Sequence, residues 1–198
     1  EVKRIMQFWL DMGVDGFRED VITFISKTEG LPDSHPWLPA ANGYKYYSNG
    51  PRVHEYLMEF KRDVLDCYDC FTVGESPLTT ADIALQYVTE GPDQVLDEMI
   101  AFSHMEADCF MIDMVQLPFN LVKMKRAFSD WQYKLAGRGW NALYIENHDH
   151  PRIISRYGNE AYRNESGKML AAMYMLQRGT PFIYQGQEIG MLNLRLPD

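Results

Sequence analysis

The sequence is poor in cysteine, in basic charge and in long apolar runs, and each shortage removes a class of function. Three cysteines in 198 residues, Cys67, Cys70 and Cys109, cannot close a disulfide framework. Thirteen per cent aromatics and twelve methionines supply a core without one, so a reducing, cytoplasmic setting is expected. Cys67-Tyr68-Asp69-Cys70 has the spacing of a metal knuckle or a redox pair, but no second pair accompanies it and it closes a predicted helix instead of opening one. It is read as structural. Nineteen Lys and Arg against 28 Asp and Glu leave a net charge of −9, which repels nucleic acid and anionic lipid. No apolar run reaches the roughly 18 residues of a membrane span, and Glu1-Val2-Lys3-Arg4-Ile5-Met6 lacks the layout of a signal peptide. Neither nucleic acid nor a membrane is expected as a partner.

What is present is an alternation of buried strands and amphipathic helices. Val2, Ile5, Met6 and Trp9 recur at helical spacing with no capping residue ahead of them. A short apolar stretch from Gly13 to Asp20 follows, then a loop over 27 to 50 rich in Gly, Pro and aromatics. Asn49-Gly50-Pro51 predicts a helix start with Pro in the first turn, its inner face made by Val53, Leu57, Phe60, Val64 and Leu65. Strands are predicted at Phe71-Thr72-Val73-Gly74-Glu75, Cys109-Phe110-Met111-Ile112, Ala142-Leu143-Tyr144-Ile145 and 181 to 184. Helices are predicted near 80 to 88, over a face of Leu121, Met124, Phe128, Trp131 and Leu135 closed by Gly137, and around 160 to 177. Mostly apolar strands alternating with helices imply a parallel sheet covered by helices. Five such strands read as the larger part of a closed barrel, which typically needs about 250 residues. Both ends look cut, so the expectation is an α/β fold forming part of a (β/α)8 TIM barrel, with residues 1 to 198 as one piece of one domain.

Asp20, Glu75 and Asp149 each fall at the carboxyl end of a predicted strand, where barrel active sites are built. If the strands close in order, the three converge on one cleft, and acids that close need a cation, a proton or a developing positive charge to stabilise them. Glycoside hydrolysis supplies such a charge, because its transition state resembles an oxocarbenium ion and its two carboxyls divide into nucleophile and proton donor. Arg18 lies two positions before Asp20, on the same strand face, where it keeps Asp20 ionised. Glu75 follows an apolar strand and has no basic neighbour in sequence, a setting that raises a carboxyl towards the range of a general acid. Asn147-His148-Asp149 offers donors and acceptors for sugar hydroxyls. Plainer readings stay open: helix caps or loop acids, a structural ion pair at Arg18, a core imidazole at His148. A metal site of Asp149 with His148 and His150 is a further alternative, and requires the chain to bend there, since adjacent strand residues point to opposite faces.

Three ordered segments, Gly16-Phe17-Arg18-Glu19-Asp20-Val21-Ile22, Thr72-Val73-Gly74-Glu75 and Glu146-Asn147-His148-Asp149-His150-Pro151-Arg152, resemble motifs of the α-amylase superfamily, glycoside hydrolase family 13. The similarity is to its oligo-1,6-glucosidase, α-glucosidase and trehalose-6-phosphate hydrolase branch. Gly50-Pro51-Arg52-Val53-His54-Glu55 and residues 179 to 191 resemble that branch too. The resemblance implies Asp20 as nucleophile, Glu75 as acid/base and Asp149 as transition-state stabiliser, with Arg18, His148 and Arg152 contacting the sugar. It implies a preference for α-1,6 linkages from Val21. His150 and Gln187 depart from the residues usual in the family, Gln and Glu respectively. The implied substrate is a disaccharide or short oligosaccharide, hydrolysed with retention through a glucosyl-enzyme intermediate. The other activities compatible with the resemblance are trehalose-6-phosphate hydrolysis, sucrose isomerisation, and a catalytically silent binding domain like that of transporter heavy chains. No metal or cofactor is expected among these residues, the family's calcium loop lying with the first three strands, the inserted domain and the C-terminal β-domain outside them. Residues 1 to 198 then correspond to strands four to eight and need the rest of the barrel for a complete fold. Expressed alone, they are expected to hydrolyse an aryl α-glucoside at a negligible rate; turnover comparable to that of a full-length family enzyme would contradict this.

Overall fold

The computed structural model describes residues 1–30, 32–34, 42–110 and 115–194. They form two compact units, residues 1–140 and 141–198. Among the described residues no helix is long and apolar enough to cross a membrane.

In the first unit helix α1 (Val2–Asp11) buries Met6 and Leu10 against Val64 and Leu65. Val2, Ile5 and Trp9, expected on the inner face, are half exposed, because α1 meets its neighbours along one narrow stripe only. Lys3 ties α1 to α2 (Val53–Asp63) through Asp63 at 2.9 Å. Helix α2 starts at Val53 and not at Pro51: the Arg52 amide donates to Ser26 Oγ at 3.0 Å and the Val53 amide to Gly50 O, so residues 50–52 are held in a turn. Its inner face is the expected one, completed by Val64 and by Leu65 in the 3-10 turn Leu65–Cys67. Cys67 ends that turn exposed, and the Cys70 thiol donates to Leu65 O, so the pair closes the helix.

Strands β1 (Gly16–Glu19), β2 (Phe71–Glu75) and β3 (Glu98–Ile100) are parallel and adjacent in that order, with Gly16 opposite Phe71 and Glu19 opposite Gly74. Two glycines permit this packing. A Cβ on Gly16 would lie 1.8 Å from Phe71 O, and one on Gly74 would lie 2.4 Å from the Leu96 side chain. Helices α3 (Ala81–Val88) and α4 (Leu121–Leu135) begin at caps, Thr80 accepting from the Ile83 amide and Asn120 from the Lys123 amide at 2.9 Å. Met99, Leu96, Tyr87, Val88, Trp131 and Leu135 form the core between sheet and helices. On α4 the face is as expected at Met124, Trp131 and Leu135, while Leu121 is exposed.

The strand predicted at 109 to 112 is not part of this sheet. Cys109–Phe110 (β4) pairs antiparallel with Val115–Gln116 (β5) as a separate ribbon, and Met111 and Ile112 lie outside the described residues. The third parallel strand is β3, which escapes pattern reading because it is three residues long and opens on an acid, Glu98, that is buried. Within the predicted loop, the described part holds one 3-10 turn, Tyr44–Tyr46; residues 31 and 35–41 lie outside the described residues.

In the second unit β6 (Trp140–Leu143) is parallel to β7 (Thr180–Pro181), and the Phe182 amide continues the ladder to Leu143 O at 2.7 Å. Strand β6 has the predicted four residues but lies two positions nearer the N-terminus, and β7 starts one residue early and is two residues long where four were predicted. The predicted helix is α6 (Arg163–Met175), preceded by a 3-10 turn, Glu160–Tyr162. A five-residue helix, α5 (Ile153–Tyr157), precedes both and is too short, between Pro151 and Gly158, to show a period.

One buried acid on β1 generates a stability prediction. Glu19 points to the opposite face from Arg18; its Oε2 is buried with no hydrogen-bond partner among the described residues, and burial with Asp97 nearby pushes its carboxyl up to about 7. The unfolded side chain titrates near 4.5, so as pH rises from 4.5 to 7 the unfolded state loses its proton first and stability falls, the loss being complete above about 7. Glu19→Gln is therefore expected to raise stability at pH 8 by on the order of 1 to 3 kcal/mol and to change little at pH 4.5. Thermal unfolding at the two pH values checks this.

Candidate active site

Alternation along β1 sends Arg18 and the residue after the strand, Asp20, to one face and Glu19 to the other. The register of β1 and β2 places Arg18 opposite Val73, so Asp20 and Glu75 end their strands side by side. Arg18 bridges them: Nη1 donates to Asp20 Oδ1 at 2.6 Å and Nη2 lies 2.5 Å from Glu75 Oε1. The Val21 amide approaches the other Glu75 oxygen, Oε2, at 3.4 Å. The side chain of Glu75 is 7% exposed and that of Asp20 69%.

This difference in burial separates the two acids chemically. Burial, and then a hydrogen bond with Asp20, push the Glu75 carboxyl above its usual range, while the Arg18 charge and the Val21 amide partly oppose the rise. Burial thus strengthens the hold of Glu75 on a proton. Arg18 stays charged, the two acids outweighing the cost of its own partial burial. The arrangement joins an exposed carboxylate able to attack with a sheltered carboxyl able to donate.

In the second unit the strand ends at Leu143, and the chain runs through buried Tyr144, Ile145 and Glu146 before turning at His148 and Asp149. Asp149 thus lies six residues past its strand, not directly after it. The turn is closed by Asn147, whose Oδ1 accepts from the Asp149 amide at 3.0 Å and meets His150 Nδ1 at 2.8 Å. The bend sets His148 Nε2 3.5 Å from Asp149 Oδ2, with both side chains more than half exposed. Among the described residues no cluster of three or more His, Cys, Asp or Glu side chains could hold a metal ion.

Arg152 is committed inside the unit. Its guanidinium donates to Glu146 Oε1, to Gln185 O at 2.7 Å and to Met191 Sδ, and lies over the Tyr184 ring. Glu146 also accepts from the Ile153 amide at 2.9 Å, so this one carboxylate holds both the residue before the Asn147 turn and the start of α5. Sequence reading assigned no role to Glu146. An acid at the end of the apolar run Ala142–Ile145, six residues ahead of an arginine, is the signal for it.

The family model described as "Alpha amylase, catalytic domain" matches residues 1–197. The chain is 48% identical over 201 residues to an oligo-1,6-glucosidase of Parageobacillus thermoglucosidasius, across 100% of this chain and 36% of that protein. The crystal structure of Bacillus licheniformis trehalose-6-phosphate hydrolase is similar with a TM-score of 0.87 at 43% identity, covering 97% of this chain and 34% of that one. That of isomaltulose synthase from Klebsiella sp. LX3 gives a TM-score of 0.90 at 32% identity, covering 98% and 35%. The chain spans about a third of the length of the proteins it matches.

The bridge makes a prediction independent of any reaction. Since the Arg18 charge holds the Glu75 carboxyl down against burial, Arg18→Met is expected to raise the Glu75 midpoint further. Carboxyl-carbon NMR titration checks it; an unchanged or lower midpoint would show that Arg18 does not set it.

Proposed function

This chain belongs to the α-amylase catalytic-domain family, and from that premise we propose that the full-length protein is a retaining α-glucosidase acting on short α-glucosides, with α-1,6-linked isomaltose as the preferred type. Membership carries the fold class, an α/β chain forming part of a TIM barrel. The observation that carries the functional reading is the Arg18 bridge between exposed Asp20 and buried Glu75. In this reading the Glu75 carboxyl gives its proton to the glycosidic oxygen as that bond breaks, and an Asp20 oxygen forms a bond to the anomeric carbon. Glu75, now a carboxylate, takes a proton from water, whose oxygen displaces Asp20 and restores the starting state. Asp149 opposes the positive charge on the ring, and His148 and Arg18 bind sugar hydroxyls. Arg152 acts at one remove, by holding the loop that carries Asp149. The three cysteines, all free thiols, fit a cytoplasmic enzyme.

Of Lys45, Arg52 and Arg152, cations that a sugar phosphate could draw on, Arg52 is bound by Glu55 at 2.8 and 2.6 Å, Arg152 is committed as above, and Lys45 lies over Tyr46, an arrangement in line with a neutral glucoside. The presence of all three acids, with the Glu75 carboxyl raised by burial, favours a working enzyme over a silent binding domain.

The full-length protein, assayed on isomaltose, maltose, sucrose and trehalose-6-phosphate, is expected to prefer isomaltose and to release glucose first as the α anomer by proton NMR. Asp20→Asn is expected to lower kcat by on the order of 10³-fold or more on every substrate. Surviving activity in that variant, or first release of the β anomer, would overturn the mechanism. Preference for trehalose-6-phosphate or isomerisation of sucrose would overturn the substrate alone.

A further inference from the structure

Backbone strain in this chain gathers at one place. Among the described residues the non-glycine positions with positive φ are Val21 (38°), Asn49 (49°) and Leu78 (60°). A β-branched residue such as Val21 is a true outlier there, and such conformations persist only where surrounding contacts over-determine them. All three adjoin one chain of buried hydroxyls. Thr23 Oγ1 lies 3.0 Å from Ser76 Oγ, and Ser76 Oγ is hydrogen-bonded to Thr79 Oγ1. Thr23 is 0% exposed, Ser76 1% and Thr79 5%. Val21 stands two residues before Thr23, Leu78 one before Thr79, and the Asn49 amide donates to Thr23 O at 2.8 Å.

The placement relates the chain to the two acids. Thr23 is three residues after Asp20, and Ser76 directly follows Glu75. Their bond therefore links the segment leaving β1 to the segment leaving β2, just past the carboxyls at the strand ends. Val21 forms the entry to the 3-10 turn Ile22–Phe24 that contains Thr23, and its amide is the one facing Glu75 Oε2 at 3.4 Å. If that turn were free, Val21 would relax to negative φ and carry its N–H away from Glu75. Ser76 is the middle member, so removing its hydroxyl takes this partner from both Thr23 and Thr79, while removing that of Thr23 breaks the link between the two segments and leaves Ser76 with Thr79 alone.

We propose that Thr23, Ser76 and Thr79 are positioning residues: their hydroxyl chain clamps Val21 in its left-handed conformation, and so keeps its amide on Glu75 and fixes Glu75 relative to Asp20. This rests on the reading of Asp20 and Glu75 as nucleophile and acid/base. The clamp is distinct from the Arg18 bridge, which acts through charge; it acts through backbone geometry.

The test uses the full-length enzyme and an aryl α-glucoside, which has no second sugar and so removes linkage preference from the measurement. Thr23→Val and Ser76→Ala are each expected to lower kcat by about 10- to 100-fold with KM within about twofold of wild type, since the loss falls on the transition state. The double variant is expected to cost little more than either single one, because both break the same link. Thr23→Ser keeps the hydroxyl and is expected to stay within about threefold of wild type. The amide favours the ionised form of Glu75, so its departure moves the alkaline limb of the kcat/KM profile to higher pH. A merely structural role lowers the melting temperature without moving that limb. Glycine accepts positive φ freely, so Val21→Gly in the Thr23→Val background is expected to recover at least about fivefold in kcat over Thr23→Val alone. Should Thr23→Val fail to fold, Ser76→Ala with and without Val21→Gly carries the same comparison. Folded variants with wild-type kcat and an unmoved alkaline limb would overturn the clamp, as would a further loss on adding Val21→Gly. Failure of the underlying reading is separate: it would show as activity surviving Asp20→Asn.

Discussion

The first unit is organised around one guanidinium. Two carboxyls at the ends of neighbouring parallel strands repel each other unless a cation or a proton intervenes; Arg18 supplies the cation, and burial with the hydrogen bond to Asp20 strengthens the hold of Glu75 on a proton. The backbone settles this before any side chain is considered. Arg18 and Asp20 share a face because they are two apart on β1, and Glu75 reaches the same guanidinium because Gly74 is paired with Glu19. The register depends in turn on the bare Cα atoms of Gly16 and Gly74, where a side chain would meet Phe71 or Leu96. A methyl group at either glycine would thus disturb the distance between two acids it does not touch.

The second unit solves a different problem with the same kinds of residue. Asp149 lies in a turn beyond its strand, so no ladder can aim it. Asn147 closes the turn from inside, and the Glu146 and Arg152 pair closes it from below. A buried ion pair adds little net stability over a packed apolar pair, but losing one member strands the other charge, so such a pair acts as a strict geometric constraint. The arginine that the motif places near the substrate is here spent on that constraint, with Gln185 and Met191 as its further partners.

The parts of this arrangement legible in the sequence were those written in runs. Phe71–Glu75 reads as a strand because four of its residues are buried in succession, and α4 because Met124, Trp131 and Leu135 keep helical spacing. The three candidate acids were legible because each stands at a boundary where an apolar run meets charge. What escaped was written in single residues. The strand β3 is hidden by its buried acid Glu98, α5 by its brevity, and the apolar pair Cys109–Phe110 imitates a sheet strand although, among the described residues, it pairs with Val115–Gln116 in a separate ribbon. The hydroxyls of Thr23 and Ser76 carry no pattern at all, since buried and solvated threonines and serines look alike until their partners are placed.

Glu19 and Glu75 together show what the Arg18 bridge contributes. Both are acids at strand ends, Glu75 is buried and Glu19 has a buried carboxyl oxygen, and each has a second carboxyl close by, Asp97 for Glu19 and Asp20 for Glu75. Glu19 faces away from Arg18, and nothing opposes burial there; its carboxyl rises to about 7 and one oxygen has no hydrogen-bond partner among the described residues. Glu75 faces Arg18 and the Val21 amide, and both pull it back towards ionisation. An acid that must give up a proton and then recover it within one reaction needs its two states close in energy. Burial by itself favours only the protonated state, as at Glu19. The cation and the strained amide oppose that rise at Glu75, so the alternation of one short strand, which turns Arg18 towards Glu75 and Glu19 to the other face, sets the two acids in different electrostatic surroundings.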